Sequence, residues 1–154
     1  PVAACLRQAH KALTRVTQGV ARMSSADLLE VLEAQAARRL QGLLLAARRS
    51  RLLCLGVEAC GEAARTERLR HLLLAHDAGK HVHGPWLETL MGRGDVSECL
   101  SRTELGEMLG REELTAVGVS DEGLACALGR AARILTVSRI LLAERRNVER
   151  SEAG

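Results

Sequence analysis

Four short apolar runs, separated by segments with helical periodicity, constrain the fold of this chain more than any other feature. They occupy 52–56, 69–75, 96–101 and 114–119. Apolar runs of this length between turn signals are typical of buried strands. Strands that alternate with helices predict a layered α/β domain whose sheet is parallel or mixed.

Helix-start signals lie between these runs. Ser-x-x-acid capping boxes are found at 24–27 and 101–104, and Pro85 stands where a helix would begin. Residues 28–44 carry apolar side chains at the spacing of a long amphipathic helix. Ser120 is in position to cap the helix that follows the fourth run.

The two ends of the chain have their own patterns. Residues 3–20 predict a basic amphipathic helix, because Arg7, Lys11 and Arg15 are four apart. Residues 139–154 are strongly charged and lack an apolar face, which predicts a flexible tail. Since the chain does not begin with Met, we also expect that further sequence precedes Pro1.

Composition limits the class of protein. The 154 residues include no Phe or Tyr and one Trp, so Leu, Ala and Val must fill the core. Five cysteines without a C-x-x-C pair argue against a disulfide framework and for a reducing compartment. No apolar run reaches the roughly 18 residues of a membrane span.

The positive charge is concentrated near the amino terminus. The net charge is +3, and residues 1–50 hold eight basic and three acidic side chains. Twenty of the 22 basic residues are arginine, which binds phosphate and guanine through two parallel hydrogen bonds. Arg48, Arg49 and Arg51 precede a strand that ends at Gly56, so we expect a basic lip beside that glycine.

Three segments resemble the kink-turn-binding ribosomal protein family, the L-seven-Ae and L-thirty-e superfamily. They are "ARRSRLLCLGVEA" at 47–59, "LLLAHDAG" at 72–79 and "TELGEMLGREELTAVGVSDEGLACAL" at 103–128. The resemblance covers about residues 33–137. It implies an α/β fold, a three-layer α/β/α sandwich with a four-stranded mixed sheet, preceded by an N-terminal helical arm.

The resemblance also implies binding of structured RNA and a ribosome or ribonucleoprotein partner. It places the contact surface on the turn Gly56–Glu62 and the loop Val119–Gly123. The candidate RNA-binding residues are therefore Arg48, Arg49, Arg51, Gly56, Val57, Glu58, Glu62, Arg65, Val119, Ser120, Asp121, Glu122 and Gly123.

This chain departs from the family at its reading residues. Family members carry G-x-N-E-x-x-K after the first strand, whereas Glu58, Ala59 and Glu62 replace the Asn, Glu and Lys. Glu58 at a helix start has two explanations: interaction with the helix dipole, or a carboxylate that accepts from base amino groups. A protein-interaction adaptor that has lost RNA binding is therefore the alternative function.

The first segment, "PVAACLRQAHKALTRV", resembles the end of a YlxR-like domain, a small bacterial domain thought to bind RNA. We therefore expect residues 1–25 to be the helical remnant of an upstream YlxR-like domain. Residues 26–138 would form the ribosomal-protein-like domain and 139–154 the tail. A bacterial cytoplasmic location follows from this assignment.

Other residue groups have a functional and an ordinary explanation. His76, His81 and His83 with Asp77 could hold zinc, although a polar loop is favoured. Trp86 could stack on a base but is expected at a core edge. Cys54 or Cys60 with His71 could be a nucleophile and base, yet nothing local lowers a thiol pKa. We find no catalytic or nucleotide-binding motif and expect no enzyme activity, cofactor, small-molecule substrate or membrane association.

Overall fold

The computed structural model of the protein describes residues 24–80 and 82–154, so the predicted helix at 3–20 and His81 lie outside the described residues. The described part contains five helices and four strands. In chain order they are α1 Ser25–Arg49, β1 Leu53–Leu55, α2 Val57–Arg65, β2 His71–Leu74, α3 Pro85–Arg93, β3 Val96–Ser97, α4 Arg102–Met108, β4 Ala116–Val119 and α5 Glu122–Glu152.

The four strands form one mixed sheet in the order β1-β4-β2-β3. Strand β4 is antiparallel to both of its neighbours, and β2 is parallel to β3. Strands β1, β2 and β3 therefore end where β4 begins, at what we call the carboxyl edge. They begin where β4 ends, at what we call the amino edge.

Helices cover both faces of the sheet. Because successive side chains of a strand point to opposite faces, Leu73 faces one helical layer while Leu72 and Leu74 face the other. The first layer holds α1, α4 and α5, with Leu40, Leu44, Leu105, Leu128 and Leu135 among its buried side chains. The second layer holds α2 and α3, with Cys60, Ala63, Leu87 and Leu90. The predicted three-layer sandwich with a mixed sheet is confirmed.

The predicted helix starts are mostly confirmed. Both capping boxes form, at Ser24 with Asp27 and at Ser101 with Glu104. Pro85 is the first residue of α3. The exception is the start of α5, where Ser120 is not the capping residue.

Asp121 caps α5, and the prediction of a Ser120 cap is wrong. The Leu124 N–H donates to Asp121 Oδ1 at 2.8 Å. The Ser120 hydroxyl donates instead to the Leu52 carbonyl oxygen at 3.2 Å, because β1 lies directly beside the end of β4.

Residues 139–154 differ from the predicted tail, because α5 continues without a break to Glu152. Leu142 is 5% exposed. The helix has a packing partner here, since Arg139 Nε lies 2.9 Å from Glu33 Oε1 and Arg145 Nη1 donates to Ser25 Oγ at 2.7 Å. Residue 138, the predicted domain boundary, thus lies inside a helix.

None of the helices in the described part of the chain combines the length and apolar character needed to cross a bilayer.

Candidate functional site

The strand register places the two predicted contact segments at opposite edges of the sheet. The Gly56 N–H donates to the Ala116 carbonyl oxygen at 2.9 Å, at the start of β4. The Ser120 N–H donates to the Leu52 carbonyl oxygen at 3.1 Å, beyond the end of β4. Leu52 and Gly56 are separated by the length of β1, about 13 Å at a strand rise of about 3.3 Å per residue. The two predicted contact segments therefore start at opposite edges of the sheet, the turn Gly56–Glu62 at the carboxyl edge and the loop Val119–Gly123 at the amino edge.

The Gly56 turn has the backbone expected of a hinge. Gly56 has φ 91° and ψ 161°, a conformation that strongly favours glycine. A Cβ there would meet nothing within 4 Å, so the dihedral angle and not crowding requires glycine. Val57 packs against the second layer, whereas Glu58 is exposed in the first turn of α2. The carboxylate of Glu58 is thus placed to interact with the helix dipole.

The carboxyl edge around this turn is acidic. Asp77 Oδ1 accepts from the Arg102 backbone N–H at 2.8 Å, and Glu113 Oε2 lies 3.4 Å from Arg102 Nη1. In the described turns and loops at 56–58, 75–84, 98–102 and 110–115, the acidic side chains are Glu58, Asp77, Glu98, Glu112 and Glu113, and the basic ones are Lys80, Arg102 and Arg111. A polyanion would be disfavoured at this edge.

The predicted basic lip does not lie beside Gly56. Arg48 Nη1 donates to the Leu109 carbonyl oxygen at 2.8 Å, where it caps the end of α4. Arg49 Nε donates to the Leu45 carbonyl oxygen of its own helix at 3.4 Å. Arg51 is exposed and precedes β1, so it belongs to the amino edge.

Glu62 and Arg65 form an exposed pair on α2. Arg65 Nη1 lies 2.9 Å from Glu62 Oε2, and both side chains are 63% exposed. Since α2 runs from the carboxyl edge toward the amino edge, this pair is near the end where Arg51 lies. Such an exposed pair contributes about 0–1 kcal/mol to stability.

The amino edge collects arginines from several elements. They are Arg51, Arg65, Arg68, Arg70, Arg93 and Arg133. Arg65 and Arg93 are paired with Glu62 and Asp95. Within residues 24–80 and 82–154, the other four arginines form no ion pair.

Most acidic side chains of this edge already have partners. Asp121 caps α5, and Asp95 Oδ2 lies 2.9 Å from Arg93 Nε. Glu67, Asp121 and Glu122 form no ion pair in the described chain, which gives three carboxylates against the four unpaired arginines. Unpaired arginines thus outnumber unpaired carboxylates, which gives the edge its positive character.

A cleft of about 460 Å³ opens at the amino edge between β3 and α5. Arg70, Arg93 and Arg133 line it together with His71, Asp95, Val96, Ser97, Glu122, Ala125, Cys126 and the glycines at 94 and 129. These residues come from β2 and the residue before it, the end of α3 and its connection to β3, β3 itself and α5. We call this cavity the β3–α5 cleft.

His71 forms the buried wall of the β3–α5 cleft. Its Nε2 lies 3.0 Å from Ser97 Oγ, and the residue is 6% exposed. A Cβ at position 129 would lie 3.3 Å from His71 Cε1, so Gly129 makes room for the ring beneath α5. Burial lowers the pKa of His71, with Asp95 opposing the shift and the Arg133 guanidinium adding to it.

Sequence reasoning missed Arg93 and Arg133. Arg133 is four residues after Gly129 on α5, the spacing of one helix face. Only the direction of β3 reveals that this face meets the segment 93–95. The spacing of Gly129 and Arg133 was visible in the sequence, but the segment that this helix face meets could be identified only from the sheet topology.

The other candidate groups have structural roles in the described chain. Cys60 is fully buried and donates its thiol to the Cys54 carbonyl oxygen at 3.4 Å. Burial raises the pKa of Cys60 to about 12, which is unsuited to a nucleophile. Trp86 is half-buried and packs against the second layer, as expected of a core-edge residue. Cys126, by contrast, is exposed and lines the cleft.

No metal-binding arrangement of three His, Cys, Asp or Glu side chains occurs in the described residues. Asp77 contacts Arg102, as given above, and His81 lies outside the described part.

Comparison with known proteins connects the fold to a solved structure. No family model and no curated protein matches the chain. It is similar to a solved protein of unknown function from Bacillus halodurans, with 30% identity and a TM-score of 0.55. The match covers 63% of this chain and 98% of that protein. Nearly the whole length of that protein is thus matched within this chain.

Proposed function

We propose that this protein binds structured RNA without catalysing a reaction and that the amino edge makes the phosphate contacts. The observation that carries the proposal is the set of unpaired arginines at one end of the sheet, Arg51, Arg68, Arg70 and Arg133. Arginine offers a planar set of donors that matches phosphate, and its charge is retained at all physiological pH values.

The resemblance to the kink-turn-binding ribosomal proteins supports the same class of ligand. It favours a ribosome or ribonucleoprotein partner in the bacterial cytoplasm. The Gly56 turn is not the surface that we propose, because Glu58 replaces the family asparagine and the surrounding edge is acidic. The loop Val119–Gly123 remains part of the proposed surface, since it lies beside Arg51 and Arg70.

The physical basis of binding is counterion release. Four arginines that each neutralise a phosphate predict a slope of about −3 for the logarithm of affinity against the logarithm of salt concentration. Affinity would then fall roughly 60-fold between 50 mM and 200 mM salt. This steepness separates a phosphate-binding surface from an apolar one.

The experiment is a filter-binding titration of fragmented ribosomal RNA against the full chain and two double variants. Arg51→Gln with Arg68→Gln removes two charges from the amino edge. Lys80→Gln with Arg111→Gln removes two from the carboxyl edge and is the matched control. We expect the first pair to weaken binding at least tenfold and to reduce the salt slope by about 1.5, while the control changes neither much. Equal losses in both pairs, or no RNA binding at 50 mM salt, would contradict the proposal.

An apolar helical surface favours the adaptor function as the second candidate. Eight large apolar side chains of α1 and α5 are between 42% and 55% exposed, namely Leu28, Val31, Leu32, Ile134, Val137, Ile140, Leu141 and Val148. A contiguous apolar patch formed by such side chains would mark a protein contact. If the titration detects no RNA binding and Ile134→Ser with Val137→Ser abolishes a protein complex in cells, the adaptor function replaces RNA binding.

A further inference from the structure

We infer that the β3–α5 cleft binds a phosphate monoester, as found at the 5′ end of an RNA or on a free mononucleotide. The RNA source rests on the proposed function, whereas the binding chemistry of the cleft does not. The sequence resemblance assigns RNA contact to one residue of this lining, Glu122, and assigns no monoester site here.

The size and composition of the cleft suit such a group. Its volume of about 460 Å³ is within the roughly 300–1,000 Å³ range of small-molecule sites. Arg70 lines it from the loop before β2, Arg93 from the end of α3 and Arg133 from α5. Val96 and Ala125 supply apolar wall on which the remainder of a nucleotide can pack.

The unpaired guanidinium groups of the cleft favour a monoester over an internal phosphodiester. Asp95 is paired with Arg93, so it does not compete for the other two guanidinium groups. Arg70 and Arg133 form no ion pair within the described residues. Arg70 and Arg133 can together contact the three terminal oxygens of a monoester, whereas an internal diester offers only two. Glu122 also lines the cleft, so its three basic and two acidic side chains give a formal net charge of +1.

Polar groups on the wall add hydrogen-bonding capacity. The Ser97 hydroxyl is held 3.0 Å from His71 Nε2 and retains a second hydrogen-bonding position. His71 is fixed in place by burial under Gly129, which makes this wall rigid before a ligand arrives. A site whose side chains are already ordered loses less entropy on binding.

The test is calorimetric titration of the full chain with adenosine 5′-monophosphate, adenosine and inorganic phosphate. We expect the monophosphate and phosphate to bind and adenosine not to bind. Arg133→Gln should weaken monophosphate binding at least tenfold. Arg130→Gln is the control, because it removes the same charge from the same helix outside the cleft lining. Both positions are exposed, so both variants should fold, and thermal unfolding checks this.

A second arm compares one RNA oligonucleotide with a 5′-phosphate or a 5′-hydroxyl. Tighter binding of the phosphorylated form, lost in Arg133→Gln, identifies an RNA end as the source. Monophosphate binding without that preference identifies a free nucleotide as the source. Either result supports a phosphate monoester site in the β3–α5 cleft.

The failures are distinguishable. RNA binding that depends on Arg51 and Arg68 but ignores the 5′ group, with no monophosphate binding, overturns this inference and leaves RNA binding intact. Monophosphate binding that depends on Arg133, in a chain that does not bind RNA, supports this inference and overturns the proposed RNA binding. Equal losses in the Arg133 and Arg130 variants would also overturn the inference.

Discussion

Two helical glycines that look alike in the sequence differ in what a side chain would meet. A Cβ on Gly106 of α4 would lie 2.8 Å from Glu113 Cα, 2.9 Å from the Arg111 carbonyl oxygen and 2.9 Å from that of Glu112. A Cβ on Gly42 of α1 would meet nothing within 4 Å. The close approach at Gly106 lets the loop at 111–113 return across α4 toward β4.

We predict that Gly106→Ala destabilises the protein and that Gly42→Ala does not. Backbone atoms cannot move aside as a flexible side chain can, so Gly106→Ala should cost about 1–3 kcal/mol. Gly42→Ala should stabilise by up to about 1 kcal/mol, through helix propensity alone. Urea unfolding of both variants measures the difference, and a gain in stability for Gly106→Ala would show that the loop does not press on α4.

At the scale of elements, Arg139 connects three helices of the first layer. From α5 it contacts Glu33 of α1 at 2.9 Å, Glu104 of α4 at 2.6 Å and the Cys99 carbonyl oxygen at 2.6 Å. Burial raises the pKa of Glu104, but hydrogen bonds from Arg139 and Ser101 outweigh it, and the pKa lies below its ordinary value of 4.5. The contribution of Glu104 to stability is therefore present above pH 4.5 and lost as the pH falls through the lowered pKa.

We predict that Arg139→Met costs about 1–3 kcal/mol at pH 7, a range that allows for the partial exposure of these side chains. The variant should also lose less stability than the parent between pH 5 and pH 3, because the Glu104 interaction is already absent. Arg146→Met is the control on the same helix, since Arg146 is exposed and forms no ion pair within the described residues. Urea unfolding at several pH values measures both, and an unchanged acid sensitivity would count against the Arg139–Glu104 contact.

The elements show how far sequence reasoning reaches. Strand positions were predictable because apolar runs such as 114–119 are short and bounded by turn signals. Strand direction was not predictable, because no local pattern shows whether β4 pairs parallel or antiparallel with β1. That direction is what places Gly56 and Ser120 at opposite edges of the sheet, so the two predicted contact segments start about 13 Å apart. The length of α5 was missed for a related reason: residues such as Leu142 are buried by a distant helix.

At the scale of the whole molecule, the sheet depends on its last strand. β4 occupies an interior position and is the only strand that pairs with β1 in the described sheet. Without it, β1 has no hydrogen-bonded neighbour, and the β2–β3 pair loses its link to the rest. The contacts that close the sheet are therefore distant in sequence.

We predict that a chain ending at residue 113 does not fold, whereas one ending at residue 144 does. The shorter chain lacks β4 and α5, and the longer one keeps Arg139 and Leu142. Circular dichroism and limited proteolysis compare the two. Cooperative unfolding of the shorter chain would show that the amino-terminal elements form a stable unit by themselves.

The interior position of β4 also has a consequence during translation. A ribosome makes four helices, α1 to α4, and three strands before β4, the strand that joins them, so the nascent chain exposes apolar helix faces with no complete sheet to bury them. Folding of the nascent chain therefore includes an interval before β4 pairs with β1 and β2, during which the exposed apolar faces can aggregate.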